Sequence, residues 1–73
     1  MNLDTYNLSR ADWELLIDQW IIGRNAERDR AILKRRLLDG VCYQPLAEDF
    51  GLSIQRTKTI VYKAQSRLFQ HIK

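Results

Sequence analysis

Cysteine occurs once in this sequence, at position 42, and histidine once, at position 71. One cysteine cannot close a disulfide within the chain, and one cysteine with one histidine falls short of the four ligands of a structural zinc site. A reducing, cytoplasmic setting is the expectation that follows. Long apolar runs are also missing. None approaches the roughly eighteen residues of a membrane span, and the N-terminal MNLDTYNL has neither the basic start nor the apolar stretch of a signal peptide. The expectation is a soluble, unprocessed chain with no membrane partner. There is no paired nucleophile and base, no metal-ligand spacing and no glycine-rich phosphate loop, so the sequence reads as a non-enzyme with no cofactor.

Glycine is scarce as well, at three residues, and proline is found once. What is present is helix-forming sequence, cut into pieces by Gly23, Gly40 and Gly51. At 73 residues the chain makes one small domain, near the lower limit for folding without staples. The net charge is +3 and unevenly spread. Residues 1–27 hold Arg10 and Arg24 against five carboxylates, for −3; residues 28–73 hold ten Lys or Arg against four, for +6. A polyanion is the natural partner of the second half, although solvated helix faces carry the same residues.

Residues 1–8 form a loose N-terminal segment with no period. Leu8, Ser9, Asp12 and Trp13 then stand at N-prime, N-cap, N3 and N4, which allows a capping box between Ser9 and Asp12 and a staple from Leu8 to Trp13. Helix 1 begins at about Arg10. Trp13, Leu16, Ile17, Trp20 and Ile21 make one apolar stripe opposed by Asp12, Glu14, Asp18 and Gln19. Two tryptophans on a stripe suit either a docking surface or core bulk, and core is the ordinary use. Gly23 can end this helix and Asn25 can cap the next.

Helix 2 is expected over about Ala26–Asp39, with Gly40 ending it. Ile32, Leu33, Leu37 and Leu38 give the apolar side, and Arg28, Arg30, Lys34, Arg35 and Arg36 a cationic cluster. Helix 3 is short, about Tyr43–Phe50. Cys42 stands at its N-cap, where the thiol is expected to be half-buried and inert, and Pro45 falls in the first turn, where no N–H is needed.

The next stretch organises the rest. Tyr43, Leu46, Ala47 and Phe50 are periodic and stop at Gly51, Leu52 can plug the angle, and Ser53 can cap a longer helix from Ile54 towards Gln70. This is the pattern of a helix-turn-helix over about 43–70. At 100° per residue, Thr57, Val61, Ala64 and Leu68 face inward and Gln55, Thr59, Tyr62 and Ser66 outward, flanked by Arg56, Lys58 and Lys63. Such a helix, about 25 Å long, can read bases only with its N-terminal half. Gln55 suits adenine, Lys58 guanine or a phosphate, Thr59 a hydrogen bond or a thymine methyl, and Tyr62 a sugar, a phosphate or a thymine methyl. Leu68, Phe69 and Ile72 are expected to pack on helix 1 or on another chain, with His71 a surface or packing residue.

On these residues, positions 28–70 resemble the C-terminal, region 4-like helix-turn-helix domain of bacterial sigma factors, which binds the promoter's −35 element. The resemblance is carried by ILKRRLLDG with Arg36 four before Gly40, by Tyr43, by Leu46-Ala47-Glu48, by Phe50-Gly51-Leu52-Ser53, and by Lys58, Ile60, Lys63-Ala64 and Arg67-Leu68. Cys42 stands where the family usually has Ser or Thr. The resemblance implies that Ile54, Gln55, Lys58 and Thr59 face the groove, with Arg28, Arg36, Cys42 and Ser53 near phosphates. With Tyr62 added for bases, and Lys34, Arg35, Arg56 and Lys63 for phosphates, these are the candidate site residues. Arg36 has an alternative partner in Glu48.

The expected product is an all-α, compact four-helix domain with a C-terminal helix-turn-helix, acting as a stand-alone transcriptional regulator of bacterial or phage type. Its expected partner is double-stranded DNA, with RNA polymerase a second candidate that the acidic helix 1 could meet. The alternative is a protein-interaction module that keeps the fold without specific DNA binding. Monomer and homodimer both remain open.

Overall fold

Ser9 starts the first helix as its side chain predicts. Its hydroxyl accepts from the Asp12 N–H at 3.1 Å, and the Asp12 carboxylate accepts from the Ser9 N–H at 3.1 Å. Two of the amides that no helical carbonyl reaches are thereby satisfied. The computed structural model describes residues 7–71, in which four helices and no strand occur: α1 (Arg10–Trp20), α2 (Ala26–Leu37), α3 (Tyr43–Asp49) and α4 (Ile54–Phe69). Positions 1–6 of the loose segment, and Ile72, lie outside the described residues. α2, α3 and α4 stop one or two residues short of the sequence expectation, within the usual scatter of helix ends.

α1 stops at Trp20, before Gly23, whose φ of +123° belongs to the loop. The Ile21 carbonyl accepts from Arg30 Nε at 2.7 Å, and the Ile22 carbonyl from Arg67 Nη1 at 3.4 Å. Cations from α2 and α4 therefore close the C-terminal end of α1, where the helix dipole favours positive charge. Asn25 stands at the α2 N-cap but makes no side-chain cap bond, contrary to expectation. Its φ of −107° and ψ of 26° lie outside the extended conformation that aims a capping side chain at the first turn.

Three polar ties fix α1 antiparallel to α2. Arg10 meets Asp39 at 2.7 Å, Asp18 meets Lys34 at 2.8 Å, and Ile21 meets Arg30 as above. The hydrogen bond that Arg10 donates to the Asp39 carboxylate raises the Arg10 pKa above its usual value. Asp12, Glu14 and Asp18, the acids expected to form a docking face on α1, are engaged in the capping box, with Arg10 at 3.6 Å, and with Lys34.

The core is the set that the periodicity selects. Trp13, Ile17, Ile21, Ile32, Leu33, Leu46, Val61, Ala64 and Leu68 are buried, with Ile60 added from α4. Burying an aliphatic side chain contributes on the order of 1.5–3 kcal/mol, so these side chains are the main source of stability. Leu8, Leu16, Trp20, Leu37, Leu38, Tyr43, Phe50 and Leu52 pack around them, partly covered. α4 touches all three other helices, whereas α1 and α3 each pack on the α2–α4 pair without meeting one another. The last turn of α4 does return to α1: Phe69 meets Trp13 edge-on at 6.0 Å, and His71 stacks on Trp20 at 3.7 Å. Among the described residues no helix is long and apolar enough to cross a membrane.

Candidate nucleic-acid interface

α3 ends in a Schellman turn. The Leu52 N–H donates to the Ala47 carbonyl at 2.9 Å and the Gly51 N–H to the Glu48 carbonyl at 3.2 Å, with Gly51 at φ +66°. Ser53 follows directly in extended conformation and its hydroxyl accepts from the Arg56 N–H at 3.0 Å. One turn thus ends α3 and starts α4 with no slack between them. This fixes which side of α4 is left uncovered.

That side carries the expected groove-facing set. Gln55 and Ser66 are exposed, Tyr62 is 57% exposed and Ile54 43% exposed, while Thr59 is half-buried. The Thr59 hydroxyl donates to the Gln55 carbonyl at 3.0 Å and still has lone pairs able to accept. Thr57, on the inward side, is fully buried and its hydroxyl donates to the Ser53 carbonyl at 2.9 Å.

Two flanks border this crest. On the α3 side Lys58, half-buried, holds its Nζ 5.6 Å from the Tyr43 ring centre, and the Arg36 guanidinium lies over the same ring at 4.4 Å. Tyr43 is thus shared by two cations, which settles both beside the start of α3. Cys42, at the α3 N-cap, is exposed rather than half-buried, and makes no side-chain cap bond. On the other flank Arg56 and Lys63 are exposed, with Arg67 one turn further along the same stripe.

The cations expected at phosphates differ in how they are occupied. Arg28 pairs with its neighbour Asp29 at 3.2 Å, Lys34 with Asp18, and Arg35 with Asp49 at 2.5 Å while lying over Phe50. Arg36 does not meet Glu48. It donates to the Val41 carbonyl at 3.1 Å, and the tie between α2 and α3 is made one position along, by Arg35 and Asp49. The α2 cluster is therefore largely engaged within the domain, whereas Arg56 and Lys63 make no side-chain bond among the described residues. Sequence reasoning passed over Arg24 and Arg67, which the fold brings beside Arg56 and Lys63. The signal for Arg67 was present in the spacing of 56, 63 and 67, at i, i+7 and i+11. For Arg24, in a loop, there was none.

No cluster of three or more His, Cys, Asp or Glu able to hold a metal occurs among the described residues. Comparison with protein-family models, with curated proteins and with solved structures finds no match to this chain.

Proposed function

We propose that this chain is a sequence-specific DNA-binding regulator whose α4 enters the major groove, in the manner implied by its resemblance to the −35-binding domain of sigma factors. One observation carries the reading: the uncovered crest of α4, Gln55, Thr59, Tyr62 and Ser66, is polar, follows a tightly capped turn and has cations on both flanks. A helix about 10–12 Å across, bearing amide and hydroxyl groups outward, matches a groove about 12 Å wide. Gln55 is the base reader assigned to adenine. Lys58, held over Tyr43, reaches a base or the adjoining phosphate, and Ile54 and Tyr62 supply apolar contact to thymine methyls. Ser53, Cys42 and Arg56 border the groove as phosphate contacts, together with the cations of α2 that can exchange a carboxylate for a phosphate.

A protein surface without DNA binding would have no use for the outward amide and cations of α4, which favours DNA as the primary ligand.

The test is a fluorescence anisotropy titration against a randomised duplex pool at low and near-physiological salt, with selection of the retained sequences. Salt-sensitive binding that enriches a short motif is expected. Gln55→Ala should then relax discrimination at one base pair by about 1–3 kcal/mol, and Lys58→Ala should weaken binding to the preferred site. Absence of binding at low salt would reject the reading and make RNA polymerase the next ligand to try.

A further inference from the structure

Between the α1–α2 loop and α4 lies an open cleft of about 270 Å³. Its rim carries Arg24 from the loop, Arg28 from α2, and Arg56, Lys63 and Arg67 from α4, against one carboxylate, Asp29. Asp29 is already bonded to Arg28, and Arg67 donates to the Ile22 carbonyl. That leaves Arg24, Arg56 and Lys63, whose side chains make no hydrogen bond or ion pair among the described residues. Unengaged cations thus converge on this cleft while the α2 cluster is tied to Asp18, Asp49 and Val41. Five cations against one carboxylate raise one another's energy, and an anion in the cleft relieves it.

We propose that this cleft holds the DNA backbone strand on the side of α4 opposite α3, so that Arg24, Arg56 and Lys63 bind its phosphates. The inference rests on the DNA-binding reading and adds to it a second strand and a residue outside the helix-turn-helix. A helix seated in the major groove has a phosphate strand along each flank. The α3 flank has Lys58 and Arg36 gathered on Tyr43. On the other flank Arg56 and Lys63 are joined by Arg24, which the α1–α2 loop sets beside them. Thr59 also lines the cleft, which makes it continuous with the base-reading crest.

An acidic peptide fits less well. Of the apolar side chains in the cleft, Ile21, Ile60 and Ala64 are buried in the core and only Ile22 stands out. Charge is available there, but little apolar surface for a peptide side chain to cover.

The experiment titrates the full chain and the variants Arg24→Ala, Lys63→Ala and Arg24→Lys against a selected duplex and a shuffled duplex from 50 to 200 mM salt, with circular dichroism melts of each. Each alanine variant should lower the slope of log affinity against log salt by about one and weaken both duplexes alike, with the base preference intact. Arg24→Lys should keep most of the slope. Wild-type slopes in folded Arg24→Ala and Lys63→Ala would overturn the inference while leaving α4 as a reader. Full-chain protein that binds neither duplex at 50 mM salt would overturn both readings. A poly-glutamate peptide that binds the full chain, and loses affinity in Arg24→Ala while duplex binding stays unchanged, would transfer the cleft to an acidic protein partner.

Discussion

Arg36 shows how one side chain can carry a motif's appearance and a structural task together. It sits four residues before Gly40 in the stretch that resembles the sigma domain, yet its guanidinium donates to the Val41 carbonyl just past that glycine and stacks on Tyr43. It therefore ties the end of α2 to the start of α3. A charged hydrogen bond to a carbonyl is worth about 1.5–3 kcal/mol and a partly exposed cation–π contact about 0.5–1. Partial exposure of Arg36 discounts both, so Arg36→Ala should lower stability by about 1–2 kcal/mol in urea unfolding. Arg36→Lys should recover less than half of this, since an ammonium cannot both stack flat on the ring and reach the carbonyl with a planar fork. Unchanged stability in Arg36→Ala would remove this role and leave phosphate contact as its reason for being there. Thr57 presents the inverse case, a polar side chain at a core position. Its hydroxyl is satisfied by the Ser53 carbonyl, so it fills an inward site on α4 without an orphaned donor.

At the scale of elements, the helix starts were legible where a side chain caps its own backbone and misleading where it does not. Ser9 and Ser53 cap as their positions predict. Asn25 does not, because the loop after Gly23 delivers it in a non-extended conformation that only the fold determines. Cys42 has the right backbone for a cap, at φ −66° and ψ 156°, but a thiol that makes no cap bond. Cys42→Ser should therefore stabilise the domain by about 0.5–1 kcal/mol, read as a higher urea midpoint at unchanged slope. No change would mean that the first α3 amides already have adequate solvent partners. Pairings between elements were the part the sequence could not supply. Whether α2 meets α3 through Arg36 and Glu48 or through Arg35 and Asp49 depends on a rotation of one residue between the helices, and periodicity alone does not define it. The same applies to Arg24, whose neighbours at Arg56 and Lys63 lie more than thirty positions away.

For the whole molecule, folding and the proposed DNA contact share one helix. α4 contributes Val61, Ala64 and Leu68 to the core on one side and the proposed groove-facing residues on the other, and it contacts every other helix. No part of the proposed interface can persist once the core opens. Leu68 has no exposed surface and lies in the last turns of α4, next to Phe69, which meets Trp13. Truncating a buried leucine to alanine costs about 2–5 kcal/mol, and domains of this size have only a few kcal/mol in hand. Leu68→Ala should thus be largely unfolded near 37 °C although it alters no proposed DNA contact. Duplex that binds only the folded state returns about 2.7 kcal/mol at one hundred times its dissociation constant. A selected duplex should accordingly restore helical circular dichroism to Leu68→Ala and raise its melting temperature in step with duplex concentration, whereas a protein that docks DNA through a locally unfolded segment would show no such recovery.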